Sequence, residues 1–309
     1  MNKFTMQRRQ FFVLLSALAA TGLLPSYARS APYSKLIRKP IPSTQTLIPA
    51  IGMGTWLTFD IADDEHALAI RKNILQEFFD LGGGLIDSSP MYGNAEQVLG
   101  FCLPEIKNKK TLFAATKVWM RGQWLGKKQM LQSQALWRVP SFNLMQIHNM
   151  LDWQVHYETL LEMKQAGAID YIGITTSHGR RHEALEQALL KQSFDFVQLT
   201  YNVVDREVEQ SLLPIAKERN IAVIANRPFQ GGDLFNRVAG KKLPTWANEV
   251  DCVNWAQFFL KFIISHPQIT CAIPATSQVA HMRENMGACY GRLADESMRS
   301  KMLDYLRTL

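Results

Sequence analysis

Four side chains of complementary chemistry end three successive apolar runs of this chain: Asp87, Lys117 and His148, with Tyr92 five residues after Asp87. A phenol has a pKa near 10 and is a poor acid at neutral pH. An ammonium beside it favours the phenolate and draws that pKa down, which Lys117 can do. Asp87 can pair with Lys117, keep it charged and hold it in place. His148 can orient a substrate oxygen or help relay a proton. Together the four can deliver a proton to an oxygen that is becoming an alkoxide. They supply no electrons, so a hydride must come from a cofactor. Each residue alone has a plainer use: Asp87 as a helix cap, Tyr92 as packing, Lys117 as a solvated strand end, His148 as a hydrogen-bonded core histidine. Their joint placement at successive strand ends carries the functional reading.

That placement requires a particular scaffold. Eight short runs read as strands: 50–56, 84–87, 111–117, 142–148, 171–175, 196–200, 221–226 and 270–275. Each is too apolar to be half exposed, as expected for parallel strands covered on both faces. Helical patterns separate most of them. "HALAIRKNILQEFFDLG" sets Leu68, Leu75, Phe78 and Phe79 on one face and stops at Gly82, and "QVHYETLLEMKQAG" stops at Gly167. Further patterns are "HEALEQALLKQ", "VEQSLLPIAKERN" (where Pro214 starts or kinks a turn), "NWAQFFLKFIISHP" and "QVAHMRENMGACYG". Eight strand–helix units in 309 residues predict a (β/α)₈ TIM barrel, an α/β fold whose chemistry lies at the C-terminal strand ends. The alternative, a doubly wound open sheet, wants a GxGxxG turn after its first strand, and "GMGTWLTFD" lacks it. The stretch "LIRKPIPSTQTLIPAIGMG" reads as an N-terminal hairpin plugging the barrel floor.

The segments "GMGTW", "GGGLIDSSPMYGNAEQVLG", "FAATKVW", "LMQIHN", "YIGIT", "DFVQLTYN" and "IPATSQVAHMRENM" together resemble the aldo-keto reductase superfamily, over roughly residues 35 to 293. The resemblance implies reduction of an aldehyde or ketone by direct hydride transfer from NAD(P)H, or the reverse oxidation. It maps the catalytic tetrad onto Asp87, Tyr92, Lys117 and His148, with Tyr92 as general acid. It puts the partners of the nicotinamide carboxamide on Thr175, Thr176 and Gln198; the two threonines replace the family's usual Ser-Asn pair but keep hydroxyls. The usual stacking aromatic falls on Asn226, which cannot stack, leaving Arg227 to lie flat or touch pyrophosphate. Gly231 and Gly232 would close a loop over the phosphates through backbone N–H groups, or form an ordinary turn. The adenosine end falls on Thr276, Ser277, Glu284 and Asn285. Ala275 and His281 stand where some members carry Lys and Arg for the extra phosphate of NADP; Arg283 and Ser277 can substitute. On family grounds NADP is expected, with NAD the alternative.

Trp56, Met91, Trp119, Trp124 and Trp153 follow strand ends, either as the wall of an apolar substrate mouth or, for Trp153 above all, as core. The short stretch after Leu293 leaves no long C-terminal lid, so an open pocket and broad carbonyl specificity are expected.

Composition fits a globular enzyme: 47% hydrophobic and 20% charged residues. The formal charge of +7 draws on Lys3, Arg8, Arg9 and Arg29 in an N-terminal stretch without acids, and no basic stripe interleaved with aromatics suggests nucleic acid. "MNKFTMQRRQ", the fourteen-residue apolar run Phe11–Leu24 and the small residues Ala28 and Ser30 have the grammar of a secretory signal, with cleavage before Ala31. Arg8-Arg9 resembles the twin-arginine signal, which carries folded proteins; Gln7 and Phe12-Val13 depart from its usual pattern. The expectation is therefore a signal over 1–30, one barrel domain over 31–309, engagement of the export machinery, a periplasmic or otherwise exported bacterial protein, and no stable membrane insertion after cleavage. A retained anchor is the alternative, although the run is shorter than the roughly 20 residues that span a bilayer. No metal is expected, because Cys102, Cys252, Cys271 and Cys289 show no CxxC spacing. No obligatory disulfide is expected, and Cys271 reads as a small core residue. Oligomeric state is not encoded legibly. Export also motivates a rival, a non-catalytic dinucleotide-binding sensor or interaction protein. A barrel hydrolase would need a carboxylate pair, and these strand ends offer one carboxylate.

Overall fold

The N-terminal hairpin and the strands that follow it divide the labour of closing a ring. The computed structural model describes residues 35–309; the segment 1–30, the cleavage point before Ala31 and the anchor alternative lie outside them. Strands β1 (Arg38–Pro40) and β2 (Leu47–Pro49) pair antiparallel, with Lys39 opposite Ile48. The parallel sheet then runs in chain order through β3 (Met53–Gly54), β4 (Leu85–Asp87), β5 (Phe113–Val118), β6 (Phe142–Ile147), β7 (Ile169–Thr175), β8 (Phe196–Thr200), β9 (Ala222–Asn226) and β10 (Ile269–Ala272). Parallel bridges Ile51–Ala272 and Gly54–Ala275 join the last strand to the first. The Gly52 N–H donates to the Ala272 carbonyl at 2.9 Å and the Gly54 N–H to the Pro274 carbonyl at 3.0 Å, which closes the barrel. All eight predicted strands are present, although the first is shorter than the 50–56 run, and Trp56 has already left it.

Side chains alternate across each strand, and this alternation builds two apolar clusters. One set faces the helices. The other, including Leu85, Phe113, Leu144, Phe196 and Cys271, fills the barrel interior together with Ile41 and Ile48 of the hairpin region. The hairpin thus plugs the floor, as its sequence suggests. Lys39 anchors it through hydrogen bonds to the carbonyls of His266 at 2.9 Å and Ile269 at 2.7 Å. The next inward positions of β4, β5, β6 and β8 are the polar Asp87, Lys117, Gln146 and Gln198.

The six helical patterns form the helices Glu65–Asp80, Trp153–Gln165, His182–Lys191, Leu212–Glu218, Trp255–Ile264 and Val279–Gly287. Asp64 caps the first, its Oδ1 accepting from the Ala67 N–H at 2.6 Å, and Gly82 leaves it at φ 78°. Pro214 is the third residue of its helix, so it sits in the first turn without kinking anything. Helices Ala95–Cys102, Gln123–Trp137, Asp233–Arg237 and Glu296–Arg307 complete the described set. Gln123–Trp137 escapes a periodicity reading because its buried residues are Gly126, Met130, Ser133 and Trp137, which form no apolar stripe. Among the described residues no helix is long and apolar enough to cross a membrane. All four cysteines are buried free thiols, Cys271 within the barrel interior.

Candidate active site

Register brings the polar side chains together. In the parallel ladder Asp87 pairs with Ala115, Lys117 with Gln146, and Gln146 with Gly173. Hydrogen bonds then join Asp87, Lys117, Gln146 and Gln198 into one polar layer above the apolar fill. The Asp87 carboxylate is saturated within it: Oδ2 accepts from Lys117 Nζ at 2.5 Å, and Oδ1 from Gln146 Nε2 at 2.8 Å and Gln198 Nε2 at 2.9 Å. Lys117 Nζ also donates to the Ser88 carbonyl at 2.8 Å and lies 5.0 Å from the centre of the Tyr92 ring. Gly173 makes room for this layer, since a Cβ there would stand 2.7 Å from Gln146 Cγ.

Tyr92 reaches the layer from the loop between β4 and helix Ala95–Cys102. Glu96 fixes that helix from behind. Its buried carboxylate accepts from Thr116 Oγ1 at 2.5 Å, Ser133 Oγ at 2.8 Å and Trp137 Nε1 at 3.1 Å, tying the helix to β5 and to Gln123–Trp137. His148 follows β6; its ring stands edge-on to Tyr92 with centroids 5.7 Å apart, and its Nδ1 is 2.8 Å from Ser89 Oγ.

Burial and pairing compete in setting the charges. Burial works against the Lys117 ammonium, but the Asp87 charge and the Tyr92 oxygen outweigh it and raise its pKa. Burial raises the Tyr92 phenol above its ordinary value even though Lys117 pulls the other way. The expected lowering of the Tyr92 pKa by Lys117 is thus a real contribution that desolvation exceeds. Burial, with Lys117 behind it, lowers His148 to about 3, so the imidazole is neutral at physiological pH and serves as a hydrogen-bonding group.

These groups open onto a cavity of 710 Å³ at the C-terminal end of the barrel. Asp87, Tyr92 and His148 line it, while Lys117 lies just beneath, with no exposed surface. Asp87 is the sole carboxylate among the lining residues. Thr175, Thr176, Gln198, Asn226, Arg227, Gly231 and Gly232 line it as well. Thr175 Oγ1 accepts from the Asn149 N–H at 2.9 Å, but Thr176 Oγ1 is buried without a partner. Asn226 is engaged rather than stacked: Nδ2 donates to the Thr176 carbonyl at 2.9 Å and Oδ1 accepts from Thr200 Oγ1 at 2.7 Å. Gly231 and Gly232 have φ of 74° and 114°, and a Cβ on Gly232 would meet nothing within 4 Å.

Other expected residues stand apart. Thr276, Ser277, Glu284 and Asn285 do not line the cavity, whose edge on that side is Ala275. Thr276 Oγ1 accepts from the Gln278 N–H at 3.1 Å, and Arg283 forms a two-pronged pair with Glu77 at 2.8 and 2.9 Å. Trp56 and Met91 line the cavity. Trp119 does not; it stands beside it, 6.4 Å from the His148 ring between centroids. Trp124 is 72% exposed on the outer side of its helix and walls nothing. Trp153 packs on Phe194. Gln146, Ser89, Asn149 and Gly173 escaped the sequence reading. Period-two counting back from His148 would have pointed to Gln146. No cluster of three or more His, Cys, Asp or Glu suited to a metal occurs among the described residues.

Comparison with known proteins agrees with this geometry. Residues 50–301 match the profile of the aldo/keto reductase family. Methylglyoxal reductase YeaE of Escherichia coli K12 is 27% identical over 247 residues, spanning 77% of this chain and 84% of that protein. An aldo/keto reductase from Klebsiella pneumoniae, solved in complex with NADP and acetate, superposes with a TM-score of 0.71 at 22% identity, covering 85% of this chain and 92% of that one. The holo form of aldo-keto reductase AKR11C1 from Bacillus halodurans gives 0.72 at 18% identity, covering 88% and 96%. At these identities the two solved structures speak for a shared fold.

Proposed function

Because the chain belongs to the aldo/keto reductase family, we propose that it reduces aldehydes or ketones to alcohols with NADPH, NADH being the alternative donor, and that Tyr92 is the general acid. The observation that carries this reading is the Lys117 ammonium, fully buried between the Asp87 carboxylate and the Tyr92 ring beneath the cavity. A buried cation with a carboxylate on one side and a phenol on the other is arranged to stabilise a phenolate.

The cavity suits a nicotinamide dinucleotide. Thr176 Oγ1 lacks a partner and can bond a carboxamide, with Gln198 nearby. The space over Gly232, which a Cβ would fill, and the adjoining Arg227 suit phosphates. Thr276, Ser277, Glu284 and Asn285 follow the cavity's edge and are proposed for the adenosine end. When bound, the reduced dinucleotide supplies the hydride. His148, neutral and steadied by Ser89, orients the carbonyl oxygen. Tyr92, protonated at neutral pH, gives its proton to that oxygen as negative charge develops there. Lys117 then faces the phenolate left behind, and Asp87, held by Gln146 and Gln198, keeps Lys117 in register. Trp56 and Met91 furnish the apolar side of the mouth, with Trp119 beside it.

The family's reductive chemistry, the methylglyoxal reductase relative and the NADP complex of the Klebsiella protein support this reading. The test is repeated turnover of methylglyoxal with NADPH. Tyr92→Phe should lower kcat by about 10²–10⁴-fold while NADPH still binds. Dinucleotide binding with no turnover by the unaltered protein would favour the sensor reading instead. A lower Kd for NADH than for NADPH would reverse the donor preference.

We also propose that residues 1–30 direct export by the twin-arginine route to the periplasm, leaving residues 31–309 as one barrel domain. Arg8-Arg9 and the apolar run Phe11–Leu24 support it. Replacing both arginines by lysine should retain the protein in the cytoplasmic fraction; unchanged periplasmic recovery would reject this route.

A further inference from the structure

The cavity carries more positive charge than the proposed reaction requires. Arg180, Arg181 and Arg227 line it, and its single lining carboxylate, Asp87, is already paired with Lys117. Among the described residues none of these three arginines enters an ion pair. Asp205, whose charge acts on the neighbouring His178, lies off the lining and accepts hydrogen bonds from Asn202 at 2.8 Å and Gln230 at 3.1 Å. Arg227 neighbours the Gly231–Gly232 turn, its guanidinium 3.9 Å from where a Gly231 Cβ would stand, so it serves the dinucleotide's phosphates. Arg180 and Arg181 belong to a different loop, between β7 and helix His182–Lys191.

That loop is held in a costly shape. His178 and Arg181 both have positive φ, 62° and 60°, a region that non-glycine residues avoid. The Thr200 hydroxyl accepts from the His178 N–H at 3.0 Å. Arg181 Nη1 donates to the Asn149 carbonyl at 2.9 Å, which fixes the guanidinium beside the residue that follows His148. A guanidinium has five N–H donors, and the Asn149 carbonyl takes one. The remaining donors of Arg181, and Arg180 before it in the chain, line the same cavity as the oxygen-orienting imidazole of His148.

We propose that the Arg180–Arg181 pair recognises an anionic group on the substrate, so that the favoured substrates are small carbonyl compounds carrying a carboxylate a few bonds from the reacting carbon. This rests on the reductase reading above. A planar guanidinium matches a carboxylate bidentately, and the opposite wall, Trp56 and Met91, receives the apolar remainder. The loop geometry makes this a selectivity device: binding the anion fixes which end of the molecule meets Tyr92.

The experiment compares 4-carboxybenzaldehyde with its methyl ester, which share a carbonyl and differ in charge. The acid should have the higher kcat/KM by about tenfold or more, as for a charge-assisted hydrogen bond gained. The ratio should fall as salt rises, because the rim is open to solvent. Arg180→Gln with Arg181→Gln should bring the ratio to near one, and the paired lysine replacements should restore part of it, a rescue that a purely structural role would not give. Calorimetric titration of terephthalate in the absence of turnover should show binding that the double glutamine variant loses. If both aldehydes turn over with equal kcat/KM, or the variant leaves the ratio unchanged, the proposal is wrong and the reductase reading stands. If neither aldehyde turns over while methylglyoxal does, the proposal is wrong and the reductase reading stands; if methylglyoxal does not turn over either, the reductase reading fails, and the terephthalate titration alone decides whether the anion site exists.

Discussion

Two lysines, Lys117 on β5 and Lys261 on helix Trp255–Ile264, are both withdrawn completely from solvent. Lys117 meets a full negative charge, lies under a cavity and has its pKa raised. Lys261 sits in the outer wall and forms no ion pair among the described residues: it donates to the carbonyls of Tyr290 and of Arg292, the latter at 2.7 Å, and burial lowers its pKa although the more distant Asp251 charge works the other way. Burial of a charge is therefore no mark of a functional site by itself. What separates the two is the partner. Carbonyls can be satisfied anywhere a chain turns back on itself, whereas a buried carboxylate–ammonium pair costs desolvation on both sides and here stands next to a phenol.

The largest expected contrast comes from deleting each cation. Lys117→Met should lower kcat by about 10²–10³-fold and, by stranding Asp87, cost about 3–5 kcal/mol of stability. Lys261→Met should cost about 1–3 kcal/mol for two carbonyls left unpaired and leave kcat nearly as it was. Steady-state kinetics and denaturant unfolding of both variants check this. Loss of catalysis in the Lys261 variant with full activity in the Lys117 variant would invert the comparison.

A smaller effect is expected at Gly173. Gly173→Ala places a methyl against Gln146 and should cost about 1–3 kcal/mol through overpacking. The drop in kcat should be modest, because Gln146 acts on Asp87 and not on substrate. An undiminished melting temperature and kcat would show that the polar layer tolerates displacement.

The two lysines should also respond oppositely to alkali. The Lys117 pKa is raised in the fold, so its stabilisation is complete below the unfolded lysine value near 10.4 and is lost as pH rises through its higher folded value. The Lys261 pKa is lowered, so between its folded value and the unfolded one the unfolded chain binds more protons, and stability grows with pH. Relative to the respective methionine variants, the advantage of the unaltered chain should shrink for Lys117 and widen for Lys261 as unfolding is followed from pH 8 to strongly alkaline conditions. Changes of the same sign at both sites would contradict the assignment.

The smallest expected effect is none at all. With His148 lowered to about 3, kcat/KM should show no step near 6.5, the ordinary histidine value. An inflection there that disappears in His148→Asn would mean the imidazole titrates during turnover.

The strands and the four tetrad residues were legible because both are written in local pattern. A buried parallel strand is largely apolar, and a titratable residue at or just past its C-terminal end marks the barrel's rim: Asp87 ends β4, Lys117 is next to last in β5 and His148 follows β6. Helix Gln123–Trp137 was not legible, since Gly126 and Ser133 occupy its buried face where an apolar stripe would be sought. Gln146 and Gly173 were missed because their importance is relational. One donates to an acid 59 positions earlier, and the other matters for the space it leaves to Gln146. Trp124 misled because following a strand end in sequence does not fix which way a helix turns its residues.

The sequence by itself determined the kinds of chemistry at hand, an acid, a base, a phenol and an imidazole at fixed strand ends, because side-chain identity and strand period are local properties. Only the tertiary structure decided their charge states and their company. It made desolvation outweigh Lys117 at Tyr92, neutralised His148, left Thr276, Ser277, Glu284 and Asn285 off the cavity's lining and gathered Arg180, Arg181 and Arg227 around it. Charge and contact are set by what surrounds a group in space, and those surroundings come from strands and loops more than a hundred residues apart.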